Sequence, residues 1–569
     1  MILTIQSETK AVLNTRMTPV IMGVLPRLEG RRKWLKAGGL SLEPTPHNIE
    51  ALQQSIEGLE VEQLQDHSAF EVLEAIVPRS PYKQKMPSYL DKDGNPFQDV
   101  AQSLASQKQH FGFFMEQGTG KTKVAIDRGG HLYCSGQVDA MMVISKKGVH
   151  RQWVEEQFPL HCGIPYDAHF WPVKELPSNL HAGDNLKVLT INIDGIKTKK
   201  GMMICLEFIR QHKGRVFCVI DESQDIKNKR SQRWKAADEI GRCCSHRMIL
   251  TGTPVAKDLT DEWAQLAWLD PKILGIKYVS AFRNEYCVMG GFEGRVVVGH
   301  RNIERFREKV DPYTFRVTAE DIGLLPPTVH TWRFDLSAKQ KFMIKSMKAA
   351  LIAQIDSGEI TTASNAAVRV LRMEQIANGF VVNEDKETHD IFDDHKKNPR
   401  ISDLMDILAA IEGKVVIWAE FKRDVEVIAE VLGDKCVTYY GPTPDKERPI
   451  NKDRFINDES VLYFVATPAC AGTGTDGLQE ASVNAIFYSY SENSIHFWQA
   501  KARTRRIGMM GEIASYWLMV AKGSPDAKKL RNLSKKKTIS DMAIGDLRAW
   551  LTDENDDEGL IEMLNGGEF

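Results

Sequence analysis

Five residues of the segment FGFFMEQGTGKTKVAID (111–127) have the types and the spacing to hold a chain of phosphates: Gly118, Thr119, Gly120, Lys121 and Thr122. The glycines let backbone N–H groups turn inward around a phosphate, and the start of a following helix adds its positive dipole end. Lys121 can reach β- and γ-phosphates, and the Thr122 hydroxyl can hold Mg²⁺. The full phosphate-loop pattern places a glycine at position 115, where this chain has Met115. About 100 residues further on, VFCVIDE (216–222) ends in Asp221 and Glu222. One carboxylate there can bind Mg²⁺ through water while a second orients and deprotonates an attacking water, which assigns Asp221 to the metal and Glu222 to the base. Each motif alone has a plainer reading: an ordinary strand-to-helix turn for the first, two solvated acids in a loop for the second.

These groups need elements that aim them. Phe111–Met115 reads as a short buried strand, and the pattern through Val124 and Ile126 as a helix, so the glycines sit in the strand–loop–helix context that a phosphate loop requires. Residues 216–220 are five apolar residues in a row, as in a strand covered on both faces in a parallel sheet. The acids then fall at its carboxyl end, where open α/β sheets bind ligands. The interval between Lys121 and Asp221 leaves room for the intervening βα units of a doubly wound sheet.

GTGKT (118–122), DESQ (221–224) and LTGTP (250–254) stand in the order found in superfamily-two helicases, and the chain resembles that superfamily. QAKARTRRIG (499–508) resembles the last motif of its Swi/Snf-type branch, with Gln499, Ala500, Arg503, Arg506, Ile507 and Gly508 at matching spacing. VISKKGVHRQWVEE (143–156, with Trp153), LTGTPVAKDLTDEWAQLAWLDP (250–271) and VVIWAEF (415–421) are similar to further segments of that branch. Four departures stand out. Gln224 and Arg505 occupy positions where the family often has His, Lys257 occupies one where it often has Asn, and CAGTGTDGLQ (470–479) is one residue longer than the motif it resembles, so its residues are not assigned singly.

The resemblance implies a two-lobed ATPase using ATP and Mg²⁺. Lobe one would supply Gly118, Thr119, Gly120, Lys121, Thr122, Asp221 and Glu222. Lobe two would supply Arg503 and Arg506, with Gln499, to offset charge on the transferring phosphoryl group. Gln224, Thr251 and Thr253 would couple hydrolysis to nucleic acid. The family's adenine-reading glutamine lies upstream of the phosphate loop. Gln98 and Gln84 both compete for that role, with Gln98 favoured by its distance from the loop.

The implied fold class is α/β: two RecA-like doubly wound parallel-sheet lobes with a small N-terminal domain and a helical insertion between the lobes. The expected division is 1–80 as an accessory domain, 81–275 as lobe one, 276–400 as insertion and linker, 401–540 as lobe two and 541–569 as an acidic tail. The accessory region reads as a small β-rich unit ending in a helix from about Asn48, with Arg27, Arg31, Arg32 and Lys33 clustered beside Trp34. That cluster suits nucleic-acid contact or a solvated turn equally. The insertion carries a hairpin signal at 288–299 and a long helical run from Ser337 to Gly358. The run 528–537 holds six basic residues, suited to a phosphate-contacting helix or to a solvated face.

Composition bounds the possibilities. With 569 residues, 42% hydrophobic and 26% charged, the chain is neither fibrous nor disordered throughout, and a net charge of −2 excludes a uniformly basic coat. Residues 551–569 hold seven acidic residues and no Lys or Arg, so the body is mildly basic. An acidic tail that mimics DNA is one hypothesis for them. Nine cysteines without a C-x-x-C pair point to reduced thiols. No apolar run approaches a membrane span and no signal peptide is apparent, so a cytoplasmic protein is expected. The compact layout suggests a bacterial or phage-infected cell. The leading expectation is an ATP-dependent translocase on duplex or branched DNA that remodels protein–DNA complexes. The alternatives are an RNA or forked-DNA helicase with true strand separation and a non-hydrolysing nucleic-acid-binding module.

Overall fold

The structure, a computed structural model, describes residues 82–534 apart from 182, 256–257, 291–295, 361, 473–474 and 492. It also describes residues 551–552 and the backbone of five strands between 2 and 63. The helix expected from Asn48, the lysines at 535–537 and the acidic residues from Asp553 onward lie outside the described residues. The five strands are β1 (Ile2–Ser7), β2 (Lys10–Asn14), β3 (Arg32–Leu35), β4 (Gly39–Leu42) and β5 (Glu60–Gln63). They pair in the order β3-β4-β2-β1-β5, antiparallel except for β1 with β5.

The chain divides into two compact units, one of residues 1–116 and 120–322 and the other of residues 117–119 and 323–569. The first is built on β6 (His110–Met115), β7 (Ala140–Ser145), β8 (Tyr166–Phe170), β9 (Leu186–Asn192), β10 (Val216–Asp221), β11 (His246–Leu250) and β14 (Thr314–Val317). Their order is β14-β6-β11-β10-β7-β9-β8, and every neighbouring pair is parallel. An all-parallel sheet must be covered on both faces, which is why β7 and the first five residues of β10 are buried without alternation. A hairpin of β12 (Cys287–Gly290) and β13 (Val296–His300) meets the expectation for 288–299.

The second unit has a six-stranded sheet. Its strands are β15 (Thr328–Phe334), β18 (Val415–Trp418), β19 (Cys436–Tyr439), β20 (Tyr463–Ala466), β21 (Asn484–Phe487) and β22 (Ser515–Ala521). The order β15-β22-β21-β18-β20-β19 is again parallel throughout. Period-two geometry sorts β18 cleanly: Val415 and Ile417 enter one apolar cluster, Val416 and Trp418 another on the opposite face. A small hairpin joins β16 (Phe380–Val382) to β17 (Thr388–Asp390). The helical run after Ser337 is the helix Ala338–Asp356, started by a capping box between Ser337 and Gln340.

The stretch 276–400, read from sequence as insertion and linker, is shared between the sheets. β14 extends the first sheet beside β6, and β15 forms the edge of the second beside β22. β14 has only four residues, and β15 follows directly on the prolines of LLPPTV, so neither gave a clear strand signal. In the helix Asp526–Ser534, Lys528 and Lys529 are buried and so are no part of a solvated face, and Lys529 pairs with Glu374 at 2.8 Å inside the unit. Among the described residues no helix is long and apolar enough to cross a membrane.

One buried ion pair braces the second sheet. Arg400, fully buried, donates to the Tyr488 carbonyl and to Asp526 Oδ2, which also accepts from the Ala521 amide at 3.0 Å. Removing one partner leaves the other charge buried and unpaired, at a cost of about 3–5 kcal/mol. Arg400→Met should therefore destabilise the protein by about that much in denaturant unfolding followed by fluorescence. The double variant Arg400→Met/Asp526→Leu should lose less than Arg400→Met alone.

Candidate active site

The phosphate loop follows β6 directly. Gly118 and Gly120 have φ of +83° and +82°, a conformation that only glycine adopts without strain. Gly120 stands at the start of the helix Lys121–Cys134, where its φ calls for glycine, and the Gln98 amide lies close against it: a Cβ there would lie 2.4 Å from Gln98 Nε2. Lys121 Nζ folds back onto the carbonyl oxygens of Met115 (2.9 Å) and Glu116 (3.1 Å) at the strand end. Thr119 is fully buried.

Of the two competing glutamines, Gln98 touches the loop. It is buried, its Nε2 donates to the Gly120 carbonyl at 3.5 Å and its Oε1 accepts from the Tyr89 amide at 3.2 Å. Gln84 is occupied elsewhere, donating to Asp99 (2.7 Å) and accepting from Lys123 (3.2 Å). Lys123 in turn pairs with Asp127 at 2.7 Å, and Tyr82 Oη donates to the other oxygen of Asp127 at 2.7 Å. In this buried network Lys123 and Asp127 stand one turn apart on the phosphate-loop helix, and Tyr82 joins them from 45 residues upstream, a partner that no local pattern announces.

Asp221 closes β10, and Glu222 begins the turn after it with φ and ψ both at +56°. The left-handed region costs a residue with a side chain about 1–2 kcal/mol. Asp221 Oδ2 accepts from Trp153 Nε1 at 3.0 Å. Burial, with the negative charge of Glu222 next to it, raises the Asp221 carboxyl to about 6, against the opposing pull of the Trp153 hydrogen bond and Lys121.

From Glu222 a line of hydrogen bonds runs to the next strand. Gln224 Nε2 donates to Glu222 Oε2 (2.5 Å), and Thr251 Oγ1 donates to Gln224 Oε1 (2.7 Å). Thr251 Oγ1 also accepts from the Thr253 amide (3.0 Å). Thr251 lies just past the end of β11, and its amide donates to the Phe113 carbonyl of β6 at 3.1 Å. Gln224 and Thr251 are both buried. Gln265, fully buried on the helix Leu259–Leu269, accepts from Ser223 Oγ (2.6 Å) and donates to the Pro254 carbonyl (2.7 Å), bracing both turns.

In the second unit the helix Ser494–Lys501 carries Gln499, fully buried, and leads into Arg503 and Arg506. The segment 501–506 is no solvated basic face. Lys501 is buried, with its ammonium 4.6 Å from the Trp498 ring centre, and Thr504 is fully buried. Arg503 Nη1 and Arg506 Nη1 both reach Asp476 Oδ1, at 2.8 and 2.5 Å. Arg505 donates to two successive carbonyls, Leu324 and Leu325, both at 2.8 Å.

The donor set fits a nucleotide triphosphate with a hard cation. The glycine loop opens onto a helix start, and Lys121 reaches nearby carbonyls that a phosphate could replace. Thr122 and Asp221 offer oxygen donors of the kind Mg²⁺ takes, and Mg²⁺ needs only one or two carboxylates when phosphates complete its shell.

Residues 103–380 match the SNF2-related domain and residues 397–508 the helicase conserved C-terminal domain. With both domains matched, the chain belongs to the SNF2-type, helicase-like ATPases. It is 25% identical over 332 residues to "Protein CHROMATIN REMODELING 8" of Arabidopsis thaliana, covering 55% of this chain and 27% of that protein. It is 24% identical over 331 residues to "Uncharacterized ATP-dependent helicase MG018" of Mycoplasma genitalium, covering 57% and 30%. The chain thus spans roughly 30% of the length of these curated relatives. A solved structure, the Sulfolobus solfataricus SWI2/SNF2 ATPase core in complex with dsDNA, aligns over 84% of this chain and 99% of that one at 19% identity, with a TM-score of 0.35. At that score the fold assignment rests on the two parallel sheets and the two domain matches. Plant, yeast, frog and nematode proteins stand beside the Mycoplasma one among the relatives, so the comparisons lend no support to a bacterial or phage setting.

The sign of the Asp221 shift sets a pH dependence. A carboxyl raised by folding favours the folded state while it is protonated, and that contribution is lost as pH rises through about 6. Asp221→Asn, a neutral isostere, should raise the thermal unfolding midpoint of the nucleotide-free protein at pH 8, with a smaller gain at pH 5. Equal gains at both pH values would show that the carboxyl is not raised.

Proposed function

We propose that this chain is an ATP-driven translocase on duplex DNA that remodels protein–DNA complexes or branched DNA. The observation that carries the reading is the hydrogen-bonded line from Glu222 through Gln224 to Thr251 and Thr253. It gives the residue placed to activate water a direct mechanical link to a neighbouring strand end. Coupling of hydrolysis to DNA needs a physical connection of this kind between the water-activating residue and a neighbouring strand end.

The roles follow from chemistry and position. The amides of Gly118, Thr119 and Gly120 hold the β-phosphate, and Lys121 leaves its carbonyl partners for the β- and γ-phosphates. Thr122 and Asp221 would hold Mg²⁺, which would supply positive charge to offset that of the phosphates. Glu222 orients water and takes its proton. Gln98, seated against Gly120, reads the adenine edge. Arg503 and Arg506 offset charge on the phosphoryl group in transit, and Gln499 supports them from the preceding helix.

The form of the last motif, with Gln499, Ala500, Arg503, Arg506, Ile507 and Gly508 in register, favours duplex DNA over RNA. Relatives named "DNA excision repair protein CSB" in rice and "DNA repair and recombination protein RAD26" in yeast are consistent with a DNA substrate. Such a substrate implies work inside the cell.

The test is steady-state ATP hydrolysis with no nucleic acid, duplex DNA, single-stranded DNA, a branched junction and RNA, beside Glu222→Gln. Duplex or junction DNA should stimulate strongly, and Glu222→Gln should lose at least a hundredfold. Stimulation by RNA or single strands alone would favour the helicase alternative. Absence of hydrolysis under every condition would favour a binding module.

A further inference from the structure

We propose that Asp476 is a positioning residue for phosphoryl transfer, gathering Arg503 and Arg506 into one cluster before the triphosphate arrives. The proposal rests on the reading of these two arginines given above.

Asp476 lies in the glycine-rich stretch that is one residue longer than the family motif it resembles, so no family assignment reaches it. Its neighbours fix it firmly. Thr475 is fully buried, and its hydroxyl donates to the Ala471 carbonyl at 2.5 Å. Gly477 follows with φ of +98° and turns the chain. Gly472 has no room for a side chain, since a Cβ there would stand 2.2 Å from the Pro468 carbonyl oxygen. Its own carbonyl accepts from Arg503 Nε at 3.0 Å.

A single atom, Asp476 Oδ1, then receives both guanidinium groups, Arg503 Nη1 at 2.8 Å and Arg506 Nη1 at 2.5 Å. Arg503 is therefore held from two sides, by Gly472 and Asp476. Partial burial would raise the Asp476 carboxyl, but Arg506 and Arg503 beside it hold it well below the usual carboxylate range. The carboxylate is charged at any working pH.

The charge balance explains why such a residue would help rather than hinder. Two guanidinium groups brought close together repel, and a carboxylate between them removes the repulsion. Two positive charges on one negative charge still leave an excess of one. The cluster remains attractive to a phosphoryl group, and the arginines are already collected when it comes. Prepaid orientation of this kind acts on the chemical step more than on nucleotide affinity.

The experiment measures ATP hydrolysis by the full chain at saturating duplex DNA. It compares wild type, Asp476→Asn, Asp476→Glu, Arg506→Ala and the double variant Asp476→Asn/Arg506→Ala, with thermal unfolding as a folding control. Asp476→Asn should lower kcat roughly ten- to hundredfold with KM for ATP changed less than about threefold. Asp476→Glu should recover part of the loss. In the Arg506→Ala background, Asp476→Asn should cost little more, because the residue acts through the arginine. An unchanged or raised kcat in Asp476→Asn, or a full multiplicative loss in the double variant, would overturn the proposal while leaving the arginine reading intact. Normal kcat in Arg506→Ala would overturn the arginine reading and the proposal with it. Should Asp476→Asn fail to fold, Asp476→Ser is judged by the same criteria.

Discussion

The pairing of β6, β11 and β10 as adjacent parallel strands is the constraint on which the site depends. Parallel strands end on the same edge of a sheet, and neighbours lie about 4.8 Å apart. The phosphate loop leaves β6, Thr251 follows β11, and Asp221 closes β10, so residues separated by 130 positions in the chain emerge side by side. The amide of Thr251 bonding the Phe113 carbonyl continues that pairing one residue past the named strand. No loop has to be long or adaptable to assemble these groups. The backbone hydrogen bonds of the sheet already fix their separation, and the buried apolar faces fix the register of the sheet.

Electrostatics then gives each unit an imbalance that nucleotide and cation can resolve. In the first unit burial and the neighbouring charge of Glu222 raise the Asp221 carboxyl, and Lys121 rests on backbone carbonyls. In the second, two guanidinium groups share one carboxylate oxygen. The first arrangement is held at some expense to stability, because a raised carboxyl weakens folding at neutral pH. In the second, the Asp476 carboxylate relieves the repulsion between the two arginines.

The motifs with fixed local spacing were legible from sequence. Strand–glycine loop–helix, an apolar run ending in two acids, and β18 at VVIWAEF all sit where the residue pattern places them. What escaped was long-range pairing. β14 and β15 are short or proline-flanked, and their membership of a sheet is decided by partners far away in the chain. Asp476 escaped because a one-residue length difference blurred its motif, although a lone Asp among glycines was the available signal. The Lys123–Asp127–Tyr82 network and the buried Arg400–Asp526 pair had no motif at all. Charged residues in helices read as solvated until the tertiary structure buries them.

If hydrolysis and DNA contact are coupled, the line Glu222–Gln224–Thr251 is the connection between them. Thr251→Val tests it most directly. The substitution keeps the shape of a fully buried side chain and removes the hydroxyl that donates to Gln224. The quantity to measure is the ratio of duplex-stimulated to unstimulated ATP hydrolysis. That ratio should fall toward one in Thr251→Val. A ratio equal to that of the unaltered protein would contradict it, since stimulation by DNA would then reach Glu222 without passing along this line.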